Sequence, residues 1–187
     1  MKLHPWLLLH PNIPMPLHGL APRIILGDSW WQQQKQLAKE KSDNRCLACG
    51  VTPKQAKYHT WLETHEVYNM YSNGTIEFGT CVALCHSCHN FIHDGRMQAL
   101  TEKKEYPREK YLDILDHGNK ILSDWWGKEI VFKNEAISVL PDDKIYKNLP
   151  LKWERFNCKW TDYHLVLYGQ RYESKFPSHE AWLQHYQ

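Results

Sequence analysis

Four of the six cysteines in this 187-residue chain form two Cys-x-x-Cys pairs, Cys46 with Cys49 and Cys85 with Cys88. Each pair offers two thiolates from one tight turn, and four thiolates satisfy the tetrahedral coordination of Zn²⁺. Because a closed four-thiolate set leaves no position for water or substrate, the spacing predicts a structural zinc site. The alternative is that the two pairs are unrelated redox-active or incidental cysteines, but two such pairs in one chain are a specific signal of a metal site. Cys81 and Cys158 have no partner at this spacing and are expected to pack as small hydrophobic residues.

Histidines crowd the same part of the chain. His89 and His93 are four residues apart on a helix expected to begin at the second cysteine pair, so both imidazoles project from one face and can hold one metal ion. His65 lies between Glu63 and Glu66 on a predicted strand. A strand, hairpin and helix in that order would bring these side chains together as a second, open metal site. We interpret the other two histidines of the segment, His59 and His86, as structural.

These motifs resemble those of the HNH endonuclease family, in the subgroup whose ββα-metal finger is braced by a four-cysteine zinc. The resemblance covers about residues 46–97 and lies in three segments: Cys46-x-x-Cys49, Leu62-Glu63-Thr64-His65-Glu66, and Val82 to His93. It implies a metal-dependent endonuclease or nickase that hydrolyses phosphodiester bonds of DNA, and the expected partner is double-stranded DNA. It also implies a catalytic Mg²⁺ or another divalent ion beside the structural Zn²⁺.

The resemblance assigns roles in two alternative ways. In one match His65 is the general base and Thr64 replaces a metal ligand. In the other His65 is a ligand and Glu66 occupies the base position. We favour His65 as base, because a neutral imidazole titrates near the operating pH. In either match His89, His93 and Glu63 are expected to hold the catalytic ion, although His89 could instead bond beside the zinc sulfurs. Thr80 stands where the family has an Asn that orients a loop.

The elements that must position these residues predict an α+β protein: an HNH finger with flanking helices and a small C-terminal hairpin and helix. Residues 1–27 hold five of the ten prolines and are expected to be extended and irregular. The predicted elements of the first 127 residues are a helix from Asp28 or Ser29 to Lys41, a hairpin over residues 58–84 that turns at Asn73-Gly74, and helices over 86–97 and 107–126.

Beyond Gly127 the pattern changes, so we place a boundary there. The predicted units are an arm and helix (1–45), the HNH zinc module (46–97), a helical segment (98–127) and a Trp-rich α+β extension (128–187). The extension is expected to hold short strands at 130–132, 137–140, 153–160 and 164–172, a turn at Pro141-Asp142-Asp143, and a helix from His179 to Tyr186 capped by Ser178.

The charge is nearly balanced, with 23 Lys and Arg against 21 Asp and Glu, so a nucleic-acid partner has to be inferred from a site and not from the overall field. Residues 1–45 are the most basic, with six Lys or Arg against three Asp or Glu, and their lysines are expected to touch DNA. The apolar run Trp6 to Leu9 is too short for a secretory core or a membrane span, which predicts a cytoplasmic protein with no membrane partner. The alternative function is a catalytically inactive zinc-stabilised module that binds nucleic acid or protein.

Overall fold

The computed structural model describes residues 2–127 and 158–186. The α+β class is confirmed: five α-helices and a four-stranded sheet are present in these two ranges. The helices are α1 (Pro22–Lys41), α2 (His86–Ile92), α3 (Asp94–Glu102), α4 (Arg108–Trp126) and α5 (His179–Tyr186), and the strands are β1 (Glu63–Met70), β2 (Thr75–Leu84), β3 (His164–Leu167) and β4 (Gln170–Glu173).

The sheet has the order β1-β2-β3-β4, so β1 is an edge strand. β1 and β2 form the predicted antiparallel hairpin, in which His65 lies opposite Val82. β3 pairs with β2 in parallel, with Thr75 opposite His164, and β4 closes the sheet antiparallel to β3. The described part of the C-terminal extension therefore completes the sheet of the hairpin.

The hairpin turn depends on Gly74 in the way the sequence predicts. Gly74 has a φ of 86°, and a Cβ atom there would lie 2.8 Å from the carbonyl oxygen of Asp162. Glycine is therefore needed both for the left-handed backbone and for the close approach of the segment before β3. Asn73 contributes through its side chain, since its Oδ1 accepts a hydrogen bond from the Thr75 N–H at 3.0 Å.

The N-terminal arm is not extended throughout. It contains two short 3₁₀ turns, Pro5–Leu9 and Met15–Leu17, and α1 begins at Pro22. In each of these elements a proline occupies one of the first two positions, where its fixed φ suits the start of a helix and its missing N–H costs nothing. Leu7 to Leu9 are buried in the main core, so the first turn packs onto α2 and α4 instead of lying on the surface.

Two predicted helices differ at one end. α1 carries a non-helical Gly27 (φ 81°, ψ 178°), so the predicted helix up to Lys41 is preceded by an extra, bent turn. The helix expected over 86–97 is interrupted at His93, whose ψ of 34° ends α2 and begins α3. Ser178 caps α5 as predicted, since its Oγ accepts the Ala181 N–H at 3.3 Å.

The main core lies between the hairpin, α2, α4 and the first 3₁₀ turn. Its centre is Phe91 of α2, which is fully buried together with Leu8, Leu84, Ile114 and Leu122. A second cluster under β3 contains Leu17, Ile76 and Leu165. Trp6, Trp30, Trp31 and Trp126 pack against the main core, whereas Trp61 is 53% exposed.

Part of the predicted extension lies outside the described residues: the strands at 130–132 and 137–140, the turn at 141–143 and most of the strand at 153–160. Residues 164–172 form two strands with a reversal at Gly169 (φ 80°). The four-unit division of the chain stays a prediction. Within the described ranges, no helix is both long and apolar enough to cross a membrane.

Candidate metal centres

The four predicted cysteines converge. The ligand atoms of Cys46, Cys49, Cys85 and Cys88 all lie within 4.8 Å of one another, and the Cys49 and Cys85 sulfurs are 3.8 Å apart. The first pair sits in a turn that docks on the sheet through the Leu47 N–H, which donates to the Ala83 carbonyl. The second pair begins α2. This set could hold a metal ion such as zinc.

The electrostatics of the thiols fit a cation. The pKa of Cys46 lies well below its ordinary value because the three other thiols hydrogen-bond to its sulfur. Burial, followed by the same neighbours, raises the pKa of Cys88, which has no exposed surface. One negative charge is therefore favoured and further ones are opposed, a conflict that a dication among the sulfurs removes. His117 Nε2 of α4 lies 3.4 Å from the Cys88 sulfur and can donate to it.

A second cluster contains His65, His89 and His93, here called the three-histidine cluster. One ring nitrogen of each lies within 4.8 Å of one from each of the others, and the ring centroids are 4.8 to 5.4 Å apart. Strand alternation turns His65 toward α2, and the spacing of four residues places His89 and His93 one above the other. These imidazoles suit Zn²⁺, Ni²⁺ or Co²⁺ better than Mg²⁺ or Mn²⁺, which prefer oxygen ligands.

The hydrogen bonding of His65 and His89 indicates that the three-histidine cluster fits a metal ion. His65 is 4% exposed, and its Nδ1 has no hydrogen-bond partner among the described residues. His89 Nδ1 donates to Glu63 Oε2 at 2.5 Å, which leaves Nε2 of that ring as the ligand atom. A buried imidazole nitrogen without a partner is costly, and a metal ion would satisfy it.

The arm contributes a histidine that the sequence did not indicate. His10 Nδ1 lies 3.3 Å from His65 Nε2, and His10 Nε2 is 3.0 Å from the backbone nitrogen and 3.3 Å from the carbonyl oxygen of Tyr68. The Tyr68 N–H donates to His10 Nε2, so a neutral His10 carries its proton on Nδ1 and donates it to His65 Nε2. Metal binding at His65 Nδ1 would require the alternative tautomers, in which His65 Nε2–H donates to His10 Nδ1 and His10 Nε2–H faces the Tyr68 carbonyl. Burial lowers the pKa of His10 to about 4, so its ring is neutral.

The same factors act on His65. Burial first, and then the neighbouring imidazoles of His89, His10 and His93, hold the pKa of His65 well below its ordinary value. The pKa of Glu63 is also lowered, far below its usual range: although burial raises it, hydrogen bonds from His86 and His89 outweigh this. A neutral imidazole beside an ionised carboxylate is the protonation state that metal binding requires.

The three-histidine cluster opens into a cleft of about 730 Å³ at the edge strand β1. Arg23 of α1 and Arg96 of α3 line it together with Glu66. Glu66 Oε1 is buried without a hydrogen-bond partner among the described residues, and the nearest guanidinium nitrogen, Arg23 Nη1, is 4.0 Å away. The cleft therefore combines two cations, suited to phosphate, with one carboxylate oxygen able to accept a proton.

The structure brings some of the predicted site residues together and separates others. His65 lies with His89 and His93 in one group of possible metal ligands, and its role as base or ligand stays a prediction. Glu63 is not in the three-histidine cluster and instead orients His89. Thr80 lies in the interior of β2, opposite Val67, and its hydroxyl donates to the Cys81 carbonyl at 3.4 Å, so the structure does not bring it to the cluster or the cleft.

Sequence reasoning missed the partners that orient these ligands. His10, His117 and the Glu63-bonded histidines His59 and His86 all contact a predicted site residue. In the sequence, the hint of His10 is its position directly after the apolar run at residues 6–9. No spacing rule relates His117 to Cys88, which is 29 residues away in the chain. Comparison of the chain with protein-family models, curated proteins and solved structures finds no match.

Proposed function

We propose that this protein is a metal-dependent nuclease of the HNH type that hydrolyses phosphodiester bonds in DNA. The observation that carries the proposal is the three-histidine cluster at the base of a cleft with two arginines and a carboxylate. The four-cysteine set supports it, because it would brace α2, the helix that delivers His89. The chain would then use one closed metal site for structure and one open site for chemistry.

His65, His89 and His93 would hold the catalytic divalent ion. When bound, such an ion supplies positive charge at the scissile phosphate and its leaving oxygen. Arg23 and Arg96 bind the flanking phosphates, because their guanidinium groups offer paired donors to phosphate oxygens. These two contacts fix the register of the strand in the cleft without reading its sequence.

Glu66 accepts the proton of the attacking water in this proposal. Glu66 lines the cleft, and its buried Oε1 has no hydrogen-bond partner among the described residues, although the Arg23 guanidinium forms an ion pair with it at 4.0 Å. His65 is the weaker candidate for the base, since its two ring nitrogens are committed, one to the His10 contact and the other to the ion. A positioned general base typically contributes roughly 10²–10⁴-fold to the rate.

Nicking of supercoiled plasmid by the purified chain tests the proposal. We expect cleavage with Co²⁺ or Ni²⁺ and weaker cleavage with Mg²⁺ or Mn²⁺. His93→Ala should abolish metal-dependent nicking, and Glu66→Gln should slow it roughly 10²-fold or more. His185→Ala, which alters an exposed histidine of α5, is the matched control and should cut like the wild type.

Absence of nicking with every metal by a folded protein that retains its cysteine-bound zinc would refute the nuclease. Plasmid binding without cleavage would then favour the inactive zinc-stabilised module. Equal rates for Glu66→Gln and the wild type would refute the base assignment alone. Parallel assays on duplex, single-stranded DNA and RNA define the substrate.

A further inference from the structure

A third group of metal-ligating side chains lies beside the two centres already described. We propose that His59, Glu63 and His86 form a separate transition-metal site, here called the Glu63 cluster, which shares its carboxylate with the three-histidine cluster. One ligand atom from each lies within 4.8 Å of the others. This proposal does not depend on nuclease activity.

The geometry centres on one carboxylate oxygen. His59 Nδ1 and His86 Nδ1 lie 2.9 and 2.7 Å from Glu63 Oε1, and the two imidazole centroids are 4.0 Å apart. Two nitrogens and one oxygen within 4.8 Å of one another match the ligand preference of Zn²⁺, Co²⁺, Ni²⁺ or Cu²⁺. The ligands are 28%, 20% and 10% exposed for His59, Glu63 and His86, so an ion can enter from solvent and keep a water ligand.

The surroundings of His86 allow its Nδ1 to switch from donor to ligand. His86 Nε2 lies 3.1 Å from the Tyr106 hydroxyl, a group that can both donate and accept. Without a metal, Nδ1–H donates to Glu63 and the Tyr106 O–H donates to Nε2. With a metal on Nδ1, the ring proton resides on Nε2 and donates to the Tyr106 oxygen, which is the outer hydrogen bond that metal-bound histidines usually make. No buried donor or acceptor of His86 is left unpaired in either state.

Glu63 connects the Glu63 cluster with the three-histidine cluster. Its Oε1 faces His59 and His86, while its Oε2 accepts from His89 at 2.5 Å. A cation on Oε1 withdraws negative charge from the oxygen that makes His89 a better ligand. Filling the Glu63 cluster should therefore weaken metal binding by the three-histidine cluster, and vice versa.

Cobalt titration of a variant that lacks the three-histidine cluster tests the proposal directly. His65→Ala/His93→Ala removes two of its ligands and leaves Glu63 and its bonded histidines in place. With one zinc per chain retained by the cysteines, Co²⁺ added alone should bind this variant with a stoichiometry of one, followed by visible absorption and by metal analysis after gel filtration. Adding His59→Ala should weaken this binding roughly tenfold or more. Adding His185→Ala instead should leave it unchanged.

His86→Ala in the same background provides a second variant, and zinc content with thermal melting establishes that each protein is folded. Loss of the bound cobalt in either folded variant supports the site. The proposal is overturned if the double variant binds no cobalt, or if its cobalt affinity is the same with and without His59 and His86. Both results are independent of any cleavage assay.

Discussion

Gly118 of α4 should be the helix glycine least tolerant of substitution among those described, because it lies directly against Phe91. A Cβ atom at Gly118 would lie 2.1 Å from Phe91 Cδ2 and within 2.4 Å of two further ring carbons. Carbon atoms pack at about 3.5–4.0 Å, so the ring would have to move by about 1.4 Å or more. Phe91 has no exposed surface and therefore no free space to move into.

The expected destabilisation of Gly118→Ala follows from two opposing terms. Overpacking a tight core costs about 1–3 kcal/mol, and the upper end applies where the displaced ring is fully buried. Alanine recovers about 1 kcal/mol of helix propensity. The net loss of unfolding free energy is about 2 kcal/mol, equivalent to a fall in Tm of about 4–8 °C for a chain of this size.

Urea and thermal unfolding of the purified protein, at matched metal content, measure this loss. Gly95→Ala in α3 is the matched control, since nothing lies within 4 Å of its added Cβ, and it should be neutral or up to about 1 kcal/mol more stable. A Gly118→Ala variant as stable as Gly95→Ala would refute the close packing of α4 on α2, the helix that carries Cys88 and His89.

Three further predictions concern metal, pH and phosphate contacts. Cys88→Ser should lose cysteine-bound zinc and unfold at a much lower temperature, since metal-binding energy on the order of 10 kcal/mol contributes to folding. Cys158→Ser, the control, should retain one zinc per chain. Equal zinc content in the two variants would contradict the four-cysteine site. Hydrogen bonds from Lys57 and Tyr58 lower the pKa of Asp113, so the stability that its ionised carboxylate contributes, below about 1 kcal/mol at this exposed site, is present above pH 4 and is lost as the pH falls further. In urea melts the difference in unfolding free energy between Asp113→Asn and the wild type should shrink from pH 7 to 3. A constant difference would refute this prediction. Arg96→Gln should reduce the salt slope of DNA binding by about 1, whereas the exposed Arg171→Gln should not, and an unchanged slope for Arg96→Gln removes it from the interface.

Much of the fold followed from short-range rules. The Asn73-Gly74 turn, the helix from 107 to 126 and the capped C-terminal helix were predictable because turn chemistry, helical spacing and caps act within a few residues. The break at His93 and the burial of Leu7 to Leu9 were not predictable. Each depends on contacts with elements distant in sequence, which local propensity does not encode.

The candidate site divides in the same way. The sequence by itself determined the donors: two Cys-x-x-Cys pairs and histidines four residues apart specify metal chemistry, because ligand type and spacing within a turn or helix are local properties. Only the tertiary structure decided which donors come together. Pairing of β1 with β2 turns His65 toward α2 and into a cluster of ligands, and docking of the arm brings His10 onto it. One carboxylate, Glu63, meets three histidines, two from α2 and one from a loop. These contacts join residues up to 55 positions apart, and it is packing of the core that sets the distances between them.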